Sequence, residues 1–276
     1  DGYHDIETLF QSVSLADTLV LAALEDPPRV SLSVRGIPVP DGPDNLAWRA
    51  ADAALAEFGC PGVSIDLTKR IPVAAGLGGG SADAAAVLLG VDALFELRTP
   101  RDTLLKLAGF LGSDVPFMLF GGTALGTGRG ESLEGLPALT GVWFVLATPR
   151  FEISAADAYR MARIGLTEPV SFIRVNCLAV REGDIPMLAK GLRNDLEAGV
   201  VSACPEVARV KDALLQHGAL AAVMSGSGPT VVGLVEDEPA GQSVASRLSG
   251  RGWNIHVVAP IDVGQSVTPI EDKPCR

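Results

Sequence analysis

Pro72-Val73-Ala74-Ala75-Gly76-Leu77-Gly78-Gly79-Gly80-Ser81-Ala82-Asp83 is the most informative stretch of this chain. Just upstream, Val63-Ser64-Ile65-Asp66-Leu67 alternates like a half-buried strand. Downstream, Ser81 to Leu97 is rich in Ala and Leu and reads as a buried helix. The order is therefore strand, glycine loop, helix. Glycines adopt backbone conformations closed to other residues, and they remove side chains that would hold a ligand away. Free N–H groups in such a loop and at the following helix N-terminus bind phosphate oxygens. Ser81 stands at the helix start, where its hydroxyl either caps the helix or faces a metal ion. No Gly-Lys-Ser/Thr follows, so the spacing is not a Walker A loop. The dinucleotide fingerprint fails too: Ser81 stands where its last glycine belongs, and no run of repeated parallel-strand units surrounds it. Taken alone, the stretch is read equally well as a flexible loop before a capped helix.

Two further segments strengthen the ligand reading. In Gly112-Ser113-Asp114-Val115-Pro116, Asp114 follows a helical pattern and precedes the apolar run Phe117-Met118-Leu119-Phe120. A carboxylate beside apolar residues serves as a base or orients an alcohol; an Asp in a turn before Pro is the plainer reading. Met224-Ser225-Gly226-Ser227-Gly228-Pro229-Thr230 is a second small-residue loop between two apolar runs of strand length. Its plainer reading is a tight turn. Two such loops together with Asp114 make a better case than any one alone.

The rest of the chain reads as mixed α and β without repeats. Leu46 to Phe58 is helical in pattern, with Asp44 or Asn45 as cap and Gly59 and Pro61 as stop. Thr99 is placed to cap a further helix with Pro100 at its first position. Val142 to Ala147 is a strand-length apolar run, Ser154 opens a helix through Arg163, and Pro205 opens one that Gly218 closes. Late strands are expected at Thr230–Val235 and Ile255–Val258, around a helix near 241–249. A Pro/Gly stretch, Leu136 to Gly141, marks the boundary between domains at 1–140 and 141–276, and the tail from Gly264 reads as loosely held.

Composition narrows the class. The 276 residues carry 33 acidic against 22 basic side chains, a net charge of −11, and are 47% hydrophobic. That supports a large core and argues against a disordered chain and against a sequence-independent nucleic-acid binder. A basic pocket for one phosphorylated ligand is compatible with it. Cys60, Cys177, Cys204 and Cys275 are scattered, as are His4, His217 and His256, so neither a disulfide scaffold nor a zinc site is expected. No basic-then-apolar leader opens the sequence. Residues 213–235 lack Asp, Glu, Lys and Arg, but Ser225 to Pro229 interrupts them, so no membrane span is expected. The expectation is a soluble cytoplasmic protein.

In this order the three segments resemble the GHMP kinase superfamily, whose middle motif is Pro-x-x-x-Gly-Leu-Gly-Ser/Gly-Ser/Gly-Ser. Within it, Asp1-Gly2-Tyr3-His4, Thr8-Leu9-Phe10-Gln11, Asn45-Leu46, Lys69-Arg70-Ile71-Pro72, the triple-glycine loop, Gly112 to Pro116 and Asn194-Asp195-Leu196-Glu197 resemble the branch acting on a cytidine-diphosphate-linked methylerythritol. The similarity runs from residue 1 to about residue 260. The resemblance implies an α+β chain in two domains: one like ribosomal protein S5 domain 2, then a ferredoxin-like one, with ATP and substrate meeting between them. It implies transfer of the ATP γ-phosphoryl group to the 2-hydroxyl of the methylerythritol unit, in non-mevalonate isoprenoid synthesis.

Site residues follow by position. Pro72 and Gly76, Leu77, Gly78, Gly79, Gly80, Ser81 and Ala82 would hold the ATP phosphates, with Ser81 near Mg²⁺; many relatives have Ser where Ala82 stands. Asn45 would help hold the adenine. Asp114 would be the catalytic carboxylate. Tyr3 and His4 would stack on and hydrogen-bond the cytosine, Tyr159 would complete the sandwich, and the Lys69 main chain would meet the base. Ser225, Gly226, Ser227 and Gly228 would support the acceptor and phosphate region. Asn194 and Asp195 receive no chemical role. The resemblance places a Pro-x-Lys-x-Asn strand, with a catalytic Lys and an acceptor-binding Asn, ahead of Asp1. The sequence given lacks it, and the expectation is a chain cut short at its start, with an exposed sheet edge or cleft. The partner expected is a small molecule carrying a cytidine diphosphate group, with no nucleic acid and no membrane, and the chain as a monomer or weak homodimer. Rival readings are another acceptor on the same fold (homoserine or mevalonate), a non-catalytic nucleotide-binding protein, and a dinucleotide-binding oxidoreductase, which the loop spacing disfavours.

Overall fold

The computed structural model describes residues 5–25, 29–162 and 172–269. The first half holds two small sheets. In one, β2 (Thr18–Leu24), β4 (Gly62–Lys69) and β3 (Val30–Gly36) lie in the order β2-β4-β3, with β4 antiparallel to β2 and parallel to β3. In the other, β1 (Thr8–Gln11), β5 (Thr123–Thr127) and β6 (Ser132–Leu136) form an antiparallel set. Helices α1 (Leu46–Phe58), α2 (Gly79–Leu94), α3 (Arg101–Leu111) and the short α4 (Val115–Phe120) accompany them. Buried Ala47, Ala50, Ala51 and Ala54 of α1 share one core with Ala84, Ala85 and Leu88 of α2 and with Val63, Ile65 and Leu67 of β4. Small residues let two helices approach closely over the sheet.

The second half is a four-stranded antiparallel sheet in the order β10-β7-β9-β8: β7 (Trp143–Thr148), β8 (Ala221–Met224), β9 (Val231–Val235) and β10 (Asn254–Val258). Its helices are α5 (Ala155–Ala162), α6 (Phe172–Glu182), α7 (Ile185–Gly191), α8 (Glu197–Ala203), α9 (Glu206–Gln216) and α10 (Glu238–Leu248). The continuous apolar run of β7 has a direct cause. Val145 and Ala147 join a core with α9 and α10, while Phe144 and Leu146 join another with Ala179, Val180 and Leu188 of α6 and α7. A strand buried on both faces cannot alternate. Leu9 and Leu77 from the first half pack against the second of these cores, so the two halves share apolar surface.

Several boundaries differ from the sequence reading. Helix α1 is as expected, with Asn45 Oδ1 accepting from Ala47 N at 2.9 Å and Gly59 in the left-handed region. Helix α2 starts two residues earlier than expected, after left-handed Gly78, so Ser81 is its third residue. It ends early because Glu96 and Arg98 take left-handed conformations. Pro100 is the cap of α3 and not its first residue; Thr99 is held outside the helix because its amide donates to Asp92 Oδ1 at 2.8 Å. Ser154 does cap α5, accepting from Asp157 N at 3.0 Å, while Arg163 lies outside the described residues. The tail is not loose at Gly264: it packs on Gly121, and Gln265 Nε2 donates to Ala82 O at 3.2 Å. Among the described residues no helix is long and apolar enough to cross a membrane.

Candidate active site

Strand β4 delivers the chain to the glycine loop, and one carboxylate fixes the turn between them. Asp17 Oδ1 accepts from Arg70 N at 2.5 Å and Ile71 N at 2.9 Å, while Asp17 Oδ2 lies 2.5 Å from Lys69 Nζ. Lys69 Nζ also reaches Asp83 Oδ2, in the first turns of α2, at 2.7 Å. The three side chains are only 2–3% exposed. Asp83 Oδ1 has no hydrogen-bond partner among the described residues. Burial pushes the Asp83 carboxyl up to about 7, against the opposing pull of Lys69. The triad also explains Gly79: a Cβ there would sit 2.8 Å from Ile71 Cγ2 and 3.0 Å from Lys69 Nζ.

The loop's carbonyls are tied to the second half of the chain. Ile153 N donates to Ala74 O at 3.2 Å, Thr230 N to Ala75 O at 3.3 Å, and Ser225 Oγ to Gly76 O at 2.7 Å. Gly76 has φ +72°, and a Cβ on it would lie 2.1 Å from Ser225 O. Over Gly78, Met118 Cε would lie 2.3 Å from such a Cβ. Gly80 is different: it is exposed, and a Cβ on it meets nothing within 4 Å. Glycine in a helix costs about 1 kcal/mol relative to alanine, so protein packing does not account for Gly80.

Asp114 lies between α3 and α4, ahead of the buried run Val115, Pro116 and Phe117. Its side chain makes no capping bond to α4, and burial raises its pKa above the usual carboxylate range. Tyr159, on α5, has its phenol pushed up by burial and then by the charge of Asp114. The carboxylate of the first half and the phenol of the second therefore share one environment. Met118 of α4, which covers Gly78, brings the glycine loop to the same place.

Other sequence-derived residues fall variously. Asn45 serves its own helix: besides capping α1, it donates through Nδ2 to Pro40 O at 2.7 Å. Lys69 is buried, its carbonyl accepts from Ile37 N at 3.0 Å, and its amine is held by two carboxylates. Pro72 is buried, and Leu77 packs into the core shared by the two halves. Tyr3 and His4 lie outside the described residues. The Ser225–Gly228 loop abuts Gly76, and the Gly228–Pro229 peptide is cis. Among the described residues no group of three or more His, Cys, Asp or Glu is placed to hold a metal. Sequence reasoning missed Asp17 and Asp83. A buried lysine after a strand demands acidic partners, but which of 33 acidic residues supply them depends on the fold.

Comparison with known proteins adds the family. The family model described as "GHMP kinases N terminal domain" matches residues 45–122, and "GHMP kinases C terminal" matches residues 178–254. The chain belongs to the GHMP kinase family. Among its relatives, the 4-diphosphocytidyl-2-C-methyl-D-erythritol kinase of Moorella thermoacetica is 48% identical over 251 residues, 90% of this chain and 87% of that protein. The kinase of the same name from Geobacter sulfurreducens is 41% identical over 92% of this chain and 89% of its own length. A crystal structure of 4-(cytidine 5'-diphospho)-2C-methyl-D-erythritol kinase superposes with a TM-score of 0.75 at 37% identity, covering 93% of this chain and 91% of that one. The homoserine kinase from Cytophaga hutchinsonii superposes with a TM-score of 0.77 at 23% identity, over 93% and 90%, and speaks for the GHMP kinase fold alone.

Proposed function

We propose that this GHMP kinase transfers the γ-phosphoryl group of ATP to the 2-hydroxyl of 4-diphosphocytidyl-2-C-methyl-D-erythritol, a step in non-mevalonate isoprenoid synthesis. The names and coverage of its relatives support the acceptor. The observation that carries the chemistry is the glycine loop beside Asp114: three successive carbonyls are tied away, and Gly80 is left open to the outside.

With those carbonyls engaged, what the loop has left for a ligand is mainly N–H, at the N-terminus of a 16-residue helix. That suits phosphate. The phosphates lie over Gly78 to Ser81. Mg²⁺ supplies charge neutralisation during transfer, and Ser81 is the residue here that would hold it. With no acidic cage among the described residues, a metal carried on the nucleotide fits better than an all-protein site. Asp114 takes the proton of the 2-hydroxyl as its oxygen bonds to phosphorus and the bond to ADP breaks. Its raised pKa brings it nearer the working range of a base. Tyr159, whose phenol feels the charge of Asp114, would stack on the cytosine.

Calorimetric titration with the cytidyl compound, homoserine and mevalonate tests this reading. Selective binding of the cytidyl compound is expected. Selective binding of homoserine or mevalonate by the folded chain sinks the acceptor assignment.

A further inference from the structure

Asn194-Asp195-Leu196-Glu197 is the motif to which the proposed function gives no role. The structure separates its two leading residues. Asp195 turns to the surface and pairs with Arg193 at 2.6 Å. Asn194 turns inward. Its Nδ2 donates to Met224 O at 2.8 Å and to Gly226 O at 2.7 Å, while its Oδ1 accepts from Leu196 N at 2.9 Å. Glu197 adds a third grip, accepting from Met224 N at 2.9 Å through Oε2 while Oε1 pairs with Lys211.

The two carbonyls held by Asn194 lie on either side of Ser225, one in the peptide that precedes it and one in the Gly226–Ser227 peptide, so the chain is held before and after that residue. Ser225 Oγ is the group that binds Gly76 O, and Ser225 O stands where a Cβ on Gly76 would be. The loop then closes on itself: Gly228 N donates to Ser225 O at 2.8 Å and Ser225 N to Thr230 O at 2.9 Å. Thr230 N in turn holds Ala75 O. An uninterrupted line of hydrogen bonds thus runs from Asn194 to the carbonyl side of the phosphate loop.

We infer that Asn194 is a positioning residue for phosphoryl transfer, setting the Met224–Thr230 loop and, through Ser225 and Thr230, the aim of the glycine loop's N–H groups. The kinetic consequence rests on the kinase reading; the mechanical one does not.

Asn194→Asp is the informative variant. It keeps the oxygen that caps Leu196 N but replaces two donors with an acceptor facing two carbonyls. Amide hydrogen exchange is expected to quicken at Ser225, Gly228 and Thr230, whose N–H groups are the bonded donors of the loop and of its link to Ala75. In steady-state kinetics the KM for ATP should rise roughly tenfold, the scale of one or two lost hydrogen bonds, with kcat less affected. Asp195→Asn should move neither. Unchanged exchange at Ser225, Gly228 and Thr230 in the folded Asn194→Asp protein overturns the inference. So does an apparent kcat that falls with KM for ATP unmoved, the mark of a purely structural role. If Asn194→Asp does not fold, Ser225→Ala probes the same line from its far end, and unchanged exchange at Thr230, whose N–H holds Ala75 O, also overturns it. A wild-type chain that binds no ATP defeats the kinase reading, while the exchange experiment still decides the clamp.

Discussion

Lys69 Nζ stands 2.7 Å from Asp83 Oδ2 and 2.5 Å from Asp17 Oδ2, so one buried cation joins the turn after β4 to the first turns of α2. Lys69→Met leaves two carboxylates in the interior with no counter-charge. A loss of about 3–5 kcal/mol in urea unfolding is expected, the usual result of removing one member of a buried ionic group. Asp83→Asn, which keeps the Asp17–Lys69 pair, should cost much less. Equal losses for the two would show that the triad does not act through charge.

Asp114 should set the acid side of the pH profile. Its pKa is raised by burial, and only the ionised form accepts a proton. Activity is therefore present above that pKa and lost as pH falls through it, at higher pH than for an ordinary aspartate. Asp114→Asn should lower kcat by about 10²–10⁴-fold and abolish this limb in kcat/KM. An unchanged limb in the variant assigns it to another group.

Two glycines of one loop should respond in opposite ways. Gly76→Ala meets Ser225 O at 2.1 Å with φ at +72°, so it should lower stability and ATP affinity together. Gly80→Ala meets no protein atom within 4 Å, so its fold should be as stable as wild type or up to about 1 kcal/mol more so. Under the proposed function its KM for ATP should nevertheless rise, because the methyl group would face the phosphates. Thermal melts beside ATP titrations check both, and an unaltered ATP affinity in Gly80→Ala would place the phosphates elsewhere.

His256, on β10, titrates below its ordinary 6.5 because burial disfavours the imidazolium. The unfolded chain then binds the proton more tightly than the folded one. Stability from this residue is complete above 6.5 and declines as pH falls below that value towards the depressed folded pKa. His256→Gln should lose less stability than wild type over that interval. Urea midpoints on either side of pH 6.5 measure the difference.

Much of this was legible in the sequence where the signal is local. Asn45, the Leu46–Phe58 pattern and Gly59 state a helix with both its ends. The apolar run at Val142 to Ala147 states a strand, and Pro72 to Asp83 states a glycine loop that leads into a helix. What was illegible depends on distant pairs. Asp17 and Lys69 are separated by 52 positions, and Ser225 and Gly76 by 149. Nothing in the spacing of Asn194-Asp195 says that one residue faces inward and the other out. Of the two caps the sequence offers for α1, Asp44 and Asn45, the structure uses Asn45.

The final stretch of the described chain has a consequence for the order of synthesis. Ile261 N donates to Ser12 O at 2.9 Å, Gly264 lies against Gly121, and Gln265 touches the carbonyl of Ala82. A ribosome that has finished the glycine loop has therefore made that loop without its braces. Ile153, Ser225, Thr230 and Gln265 are still to come, and at about 5–20 residues per second the last of them arrives many seconds later. Under the proposed function, nucleotide capture should wait for these later residues, and a nascent chain stalled before Ser225 should be blind to ATP however well its first half has folded.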